Sequence, residues 1–226
     1  GQYKNALVVV EGAYSMSGDL APLCEIVALK DRHDFLFFVD EAHSFGFYGP
    51  QGRGRCHELG IASKVDFLMS TMSKSLASVG GFIAMEERFR TLMTWTAKAY
   101  LFQATAPAAD AAAALAALRE LRDNPEHAAR LRSNNDYFRG LLRQEGFDLR
   151  QSRSPIVPVY LPDSEAISRV TTDIFHEGVF TVAILYPAVA PDGGRLRFNV
   201  NATHTREQID FTVDVLRRVC RQHGII

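Results

Sequence analysis

The sequence predicts an α/β fold, a mostly parallel sheet followed by a smaller C-terminal α+β domain. Three observations predict it. Four largely apolar runs, residues 6–10, 35–39, 65–69 and 82–85, read as strands; the unbroken run 6–10 marks a strand buried on both faces, as in parallel sheets, and 35–39 and 65–69 also read as buried. A helical pattern at 22–32 and glycine-bearing loops separate them. Beyond Gly146, strands and helices follow in an order that suits a separate α+β unit.

Residues 6–10 end in the polar loop Glu11-Gly-Ala-Tyr-Ser-Met-Ser-Gly-Asp19, at the strand end where open α/β sheets place ligands. In 22–32, Leu23, Ile26, Val27 and Lys30 recur at helical spacing, and Glu25, Lys30 and Arg32 read as a polar helix face. The run 35–39 delivers Asp40-Glu-Ala-His43 to the same sheet edge. An acid directly after five apolar residues is costly unless it meets a partner there. Residues 44–60, with Gly46, Gly49, Gly52, Gly54 and Gly60, read as a long loop, and long ordered loops are often functional. The run 65–69 leads to Lys74, set among Ser70, Thr71, Ser73, Ser75 and Ser78, and Gly80-Gly81 opens the run 82–85.

Residues 86–98 read as helical and 100–107 break the pattern. Residues 108–122 are a strong Ala/Leu helix former, stopped by Asp123-Asn-Pro125. In 127–144, Leu131, Phe138, Leu141 and Leu142 form an apolar face. A strand at 156–160, a helix at 164–177, strands at 178–185 and 195–201, and a helix at 205–222 capped by Thr205 complete the chain. The domains divide as 1–105, part of a large domain, and 106–226, a linking helix with a small domain.

The chain has 226 residues, enough for one large domain or two small ones. A net charge of −1 implies no broad surface for nucleic acid or acidic lipid. Cys24, Cys56 and Cys220 form no CxxC pair, which argues for reduced thiols in the cytoplasm rather than a disulfide framework or a zinc site. No run reaches the length of a membrane-spanning helix. The opening Gly-Gln-Tyr-Lys-Asn leads straight into a strand, so no signal peptide is expected.

Three loops therefore converge on one sheet edge, offering Ser15, then Asp40 and His43, then Thr71, Ser73 and Lys74. A lysine at the mouth of a buried strand is partly desolvated, which favours the neutral amine and Schiff-base chemistry. This set meets the needs of pyridoxal 5′-phosphate: a lysine for the aldehyde, a carboxylate to keep the pyridine nitrogen protonated, and donors for the phenolate and phosphate. No metal is called for.

Five segments in order carry a definite resemblance: Glu11-Gly-x-x-Ser-Met-x-Gly-Asp-x-Ala-Pro-Leu23, Val39-Asp-Glu-Ala-His-Ser44, Gly52-Arg-Gly54, Thr71-x-Ser-Lys74 and Val79-Gly-Gly-Phe82. Together with the segment 195–205 they resemble the α-oxoamine synthases, a family of fold type I pyridoxal-phosphate enzymes. The resemblance implies an acyltransferase that condenses an amino acid with an acyl thioester, usually acyl-coenzyme A, with loss of CO₂ in most members. It implies Lys74 as the Schiff-base lysine, Asp40 as partner of the pyridine nitrogen and His43 as neighbour of the ring oxygen. Ser15 would contact the cofactor, and Thr71 and Ser73 its phosphate side. Arg197 would bind the substrate carboxylate, and Thr105 would reach the partner's phosphate across a homodimer interface. Ala77 departs from the pattern, because many members carry Gly there. The family's N-terminal half supplies a residue that stacks on the ring and a glycine-containing phosphate loop. This chain resembles the C-terminal half only, so a further N-terminal segment is expected as a partner.

Two other readings stand beside this one. A non-catalytic half would keep the fold and stabilise a partner chain. The segment Asp40-Glu-Ala-His43 also resembles the Mg²⁺-binding motif of a helicase family, which needs a GxxxxGK[ST] loop that does not occur here.

Overall fold

A computed structural model of the chain describes residues 5–226; the opening residues 1–4, read above as leading straight into a strand, lie outside the described residues. By its contacts the chain divides into two compact units. Among the described residues, 5–13 and 21–125 form the first, and 14–20 and 126–226 the second.

The first unit is built on a four-stranded sheet of order β1-β2-β3-β4, with β1 Leu7–Glu11, β2 Leu36–Asp40, β3 Phe67–Thr71 and β4 Gly81–Met85. β1, β2 and β3 run parallel, and β4 closes antiparallel on β3. That is the mostly parallel sheet expected. Helix α1 (Leu23–Leu29) buries Leu23 and Val27, which pack with Phe37, Val39, Cys56 and Ile61. Helix α1 is shorter than the pattern at 22–32 implied. Lys30 is no free surface charge either: its ammonium meets Asp66 Oδ2 at 2.6 Å and the Lys64 carbonyl at 3.0 Å.

The run 6–10 is not buried on both faces. Leu7 and Val9 are 55% and 59% exposed, while Val8 and Val10 pack on the core. β1 is an edge strand whose alternate side chains meet no cover among the described residues. Residues 44–60 are more ordered than a plain loop. They include a 3₁₀ turn at Pro50–Gly52 and the short helix α2 (Arg55–Glu58). Helices α3 (Glu87–Thr96) and α4 (Lys98–Leu101) follow the sheet, and Phe89 of α3 packs on Phe67 with ring centroids 4.7 Å apart. Helix α5 (Ala108–Asp123), expected as the link between domains, belongs to the first unit. Ser78 Oγ donates to the Asp110 carbonyl at 2.7 Å, and Gln51 Nε2 to the Arg122 carbonyl at 3.2 Å.

In the second unit, α6 (Glu126–Gln144), α7 (Ser164–His176) and α8 (Arg206–Gln222) accompany an antiparallel sheet of order β5-β7-β6, with β5 Ile156–Tyr160, β6 Val182–Ile184 and β7 Arg195–Asn199. Phe138, Val157, Ile167, Leu196, Phe198 and Leu216 lie at the centre of its apolar core. The expected Thr205 cap is a full capping box: Thr205 Oγ1 accepts from the Gln208 N–H, and Gln208 Oε1 accepts from the Thr205 N–H at 3.0 Å. No described helix is long and apolar enough to cross a membrane.

Candidate functional site

Parallel pairing of β2 and β3 places Asp40 opposite Met69. Side chains alternate along a strand, so Asp40 and Thr71 face the same side of the sheet at its C-terminal edge. Asp40 Oδ1 accepts from the Ala42 N–H at 2.8 Å, which turns the chain directly after β2 and carries half-buried His43 past the strand end.

Lys74 follows β3 by three residues, in a turn closed by the Met72 N–H to the Gly80 carbonyl at 2.9 Å and the Ser78 N–H to the Met72 carbonyl at 2.9 Å. Thr71 Oγ1 and Ser73 Oγ lie 2.7 Å apart, and the Thr71 hydroxyl donates to the Gly80 carbonyl at 3.1 Å. The turn passes through Ala77 at φ +47°, in the left-handed region that suits glycine. Lys74 itself is exposed, so the described residues do not provide the desolvation expected at the end of a buried strand.

A residue the sequence reading passed over ties these turns together. Glu41 is fully buried. Its N–H donates to the Met69 carbonyl at 2.7 Å. Its carboxylate accepts from the Cys56 N–H at 2.7 Å, from the Arg55 N–H at 2.8 Å and from the Ser44 hydroxyl. The clue was available: a second acid behind an apolar strand, and a glycine-arginine step opening a short helix. A Cβ on Gly54 would sit 2.8 Å from the Glu41 carboxylate, so the chain approaches it closely only as glycine. Burial, and then the Glu41 charge, push the Cys56 thiol far above its ordinary range. Earlier in the same loop, Gly46 at φ +84° lies so close to Ser75, next to Lys74 in sequence, that a Cβ would strike its side chain. Thr105 is exposed in the segment between α4 and α5.

Ser15 belongs to the second unit, whereas Asp40 and Lys74 belong to the first. Its segment, 14–20, packs within the second unit. There Arg197 Nε donates to the Ser15 carbonyl at 2.9 Å, and Arg195 Nη1 to the Met16 carbonyl at 3.1 Å. The two arginines alternate with Leu196 and Phe198, which face the core, so both point to the opposite side of β7. Arg195, a second residue that the sequence reading missed, is buried. It also donates to the Gly193 carbonyl at 2.7 Å and the Tyr160 hydroxyl at 2.6 Å. Arg197 is half-buried, and burial draws its guanidinium below the ordinary arginine value. It lines a groove of about 630 Å³ with Thr181, His204 and Phe211. The first unit thus gathers Asp40, His43, Thr71, Ser73 and Lys74, and the second gathers Ser15 and Arg197.

Three comparisons bear on this arrangement. The sequence matches the family described as aminotransferase class I and II over residues 1–216. It is 43% identical over 210 residues to serine palmitoyltransferase of Bacteroides thetaiotaomicron, covering 93% of this chain and 53% of that protein. It is 36% identical over 223 residues to 8-amino-7-oxononanoate synthase of Fervidobacterium nodosum, covering 99% and 56%. Among solved structures, serine palmitoyltransferase with pyridoxal phosphate superposes with a TM-score of 0.93 at 35% identity, over 97% of this chain and 56% of that one. The chain spans about half the length of the curated relatives it matches. The class I and II match takes in Asp40-Glu-Ala-His43, so that segment belongs to this fold and the helicase reading falls away.

Proposed function

The chain belongs to the aminotransferase class I and II family, and on that premise we propose that the full-length protein is a pyridoxal 5′-phosphate-dependent acyltransferase. It condenses an amino acid with an acyl thioester, typically acyl-coenzyme A, to an α-amino ketone, usually with loss of CO₂. The observation that carries this is the paired strand ends: the in-register parallel β2 and β3 bring Asp40 and the Lys74 turn to one edge. The donor set there fits the cofactor, with a primary amine, a carboxylate, an imidazole and two hydroxyls 2.7 Å apart. The relatives' names, serine palmitoyltransferase and 8-amino-7-oxononanoate synthase, support the acyl-transfer reading.

When bound, the cofactor supplies an aldehyde that captures the amino substrate and a ring that takes up the electron pair left at its Cα. Lys74 would hold that aldehyde, and its amine would be the group that carries the proton at the substrate Cα. Asp40 would keep the proton on the pyridine nitrogen, and His43 would serve the ring oxygen. The hydroxyls of Thr71 and Ser73 would bind the phosphate, and Ser15 would add a cofactor contact. Arg197 takes the substrate carboxylate, a task suited to a planar fork of donors. We further propose a cytoplasmic homodimer in which Thr105 serves the opposite site. An additional N-terminal segment would cover β1 and Lys74, and the exposed Leu7, Val9 and Lys74 support that part. Full-length protein assayed with a panel of amino acids against acyl-coenzyme A donors should release thiol with at least one pair. Cofactor bound and no thiol released from any pair would overturn the proposal.

A further inference from the structure

We infer that Glu41 is the positioning residue of the site: its buried carboxylate fixes the Asp40–His43 turn against the glycine-rich loop that abuts the Lys74 turn. This rests on the reading of Asp40, His43 and Lys74 as cofactor-facing groups. Three observations carry it.

First, Glu41 anchors itself twice. Its N–H continues the sheet pairing to the Met69 carbonyl, and its carboxylate takes both the Arg55 and Cys56 N–H groups at 2.8 and 2.7 Å. A carboxylate that accepts such bonds away from water forms stronger ones than a neutral oxygen, and removing it strands the buried Cys56 N–H and the partly buried Arg55 N–H. Second, the turn that carries His43 folds over this anchor. The Ser44 and Phe45 N–H groups donate to the Glu41 carbonyl at 3.0 and 2.8 Å, and the Ser44 hydroxyl to its carboxylate. Third, the loop between the two anchored ends reaches the lysine turn. The Gly46 N–H donates to the Gly52 carbonyl at 2.7 Å, and Gly46 lies against Ser75. Glu41 touches none of the proposed reacting atoms, and it holds the turns on which those atoms are mounted. Groups held in the productive geometry by such a shell react faster than the same groups held loosely.

The test is Glu41→Gln, which keeps the size and removes the charge, in the full-length protein loaded with pyridoxal phosphate. In the variant the Arg55 and Cys56 amides should lose protection from hydrogen exchange. The pH midpoint of the bound cofactor's absorbance should move by at least about half a unit. The kcat should fall about tenfold, with the amino-acid KM changed less than about twofold. An absorbance midpoint and kcat per bound cofactor that match wild type, beside a lowered melting temperature, would make Glu41 merely structural and overturn the inference. Should the variant fail to fold, Ser44→Ala decides, because it removes one donor and leaves both backbone bonds. It should move the midpoint the same way, by less, and slow kcat about twofold to threefold. A Ser44→Ala protein identical to wild type would refute the assignment. Wild-type protein with no absorbance on adding pyridoxal phosphate would sink the cofactor reading itself, a result distinct from an unchanged variant.

Discussion

Glu41 and Asp66 are the buried charges of the first unit, and Arg139 and Arg195 those of the second, among the described residues. The acids of the first unit collect backbone N–H groups from elsewhere in the chain. Glu41 takes those of Arg55 and Cys56, and Asp66 takes that of Phe37 at 2.7 Å together with the Lys30 ammonium. The bases of the second unit donate to neutral oxygens. Arg139 reaches Ser152 Oγ at 3.2 Å, and Arg195 reaches two carbonyls and a phenol. The apolar surfaces differ too. The second unit closes a large core around Val157, Leu196 and Leu216 but leaves Phe175, Phe180 and Phe211 exposed, while the first leaves its edge strand open at Leu7 and Val9 and exposes Trp95, Phe102, Leu115 and Leu118. In the first unit Glu41 fixes loops at the sheet edge where the reactive groups stand, and Asp66 fixes the opposite ends of β2 and β3. In the second, Arg195 holds the short segment 14–20 and Arg139 holds Ser152. The first unit should therefore respond to acid and to loss of the lysine, and the second to loss of its arginines.

The largest effect tests where the chemistry sits. Lys74→Ala in the full-length protein should lower turnover by a factor on the order of a thousand or more, because no other group supplies the amine. The melting temperature of the cofactor-free protein should stay unchanged, since Lys74 is exposed. Turnover measured beside thermal unfolding checks both. Appreciable residual turnover would move the reactive amine out of the β3 turn.

Asp66→Ala should cost about 2–3 kcal/mol, because it strands the Phe37 N–H and the Lys30 ammonium. Burial alone would raise the Asp66 carboxyl. The hydrogen bonds from Lys30 and the Phe37 N–H, with the Lys30 and Arg88 charges, outweigh it and hold the group below the ordinary carboxylate value. A folded value below the unfolded one means that Asp66 stabilises fully above the unfolded value, about 3.9. That contribution is lost as pH falls through the folded value. Acid titration followed by hydrogen exchange should show the first unit opening first, and Asp66→Asn should weaken that pH dependence. Equal acid sensitivity of both units would break the contrast between them.

The counterpart in the second unit is smaller. Arg195→Met keeps the apolar stem and deprives the Met16 and Gly193 carbonyls of their donor, for a loss of about 1 kcal/mol. The Tyr14 and Gly18 amides, which bond within segment 14–20, should then exchange faster, with the amides of 41–56 unaffected. Spread of the effect into 41–56 would mean that the units do not manage their buried charges separately.

Much of the fold was legible because it follows from local pattern. Strands β1 and β2 stood out as unbroken apolar runs and β3 as an apolar run broken by Asp66, and the Thr205 box needed only Thr205 and Gln208 three residues apart. What was not legible depends on distant partners. Lys30 reads as a solvated helix face until Asp66, 36 residues on, arrives beside it. Glu41 reads as a bystander to Asp40 until Arg55 and Cys56 fold back, and Arg195 as a neighbour of Arg197 until segment 14–20 settles on it. Leu7 and Val9 carried the signature of a covered strand, and composition cannot say whether that cover comes from the same stretch of chain.

The smallest effect concerns Ala77, where the residue type and the backbone disagree. Its φ of +47° lies in the left-handed region, and holding a residue with a Cβ there costs about 1–2 kcal/mol. Glycine escapes that cost but loses about 0.5–1 kcal/mol more chain entropy on folding. Ala77 is exposed, so its methyl contributes little packing, and its N–H bond to the Lys74 carbonyl at 3.1 Å survives the substitution. Ala77→Gly should therefore stabilise the first unit by about 0.5–1 kcal/mol, a rise in melting temperature of about one to three degrees. The same change relaxes the turn that carries Lys74, so the hydrogen-exchange protection of the Ala77 and Ser78 positions should increase. The second unit should not respond. A variant that melts lower than wild type would mean that Ala77 does not hold the left-handed conformation, and that the departure from glycine at this position carries no strain.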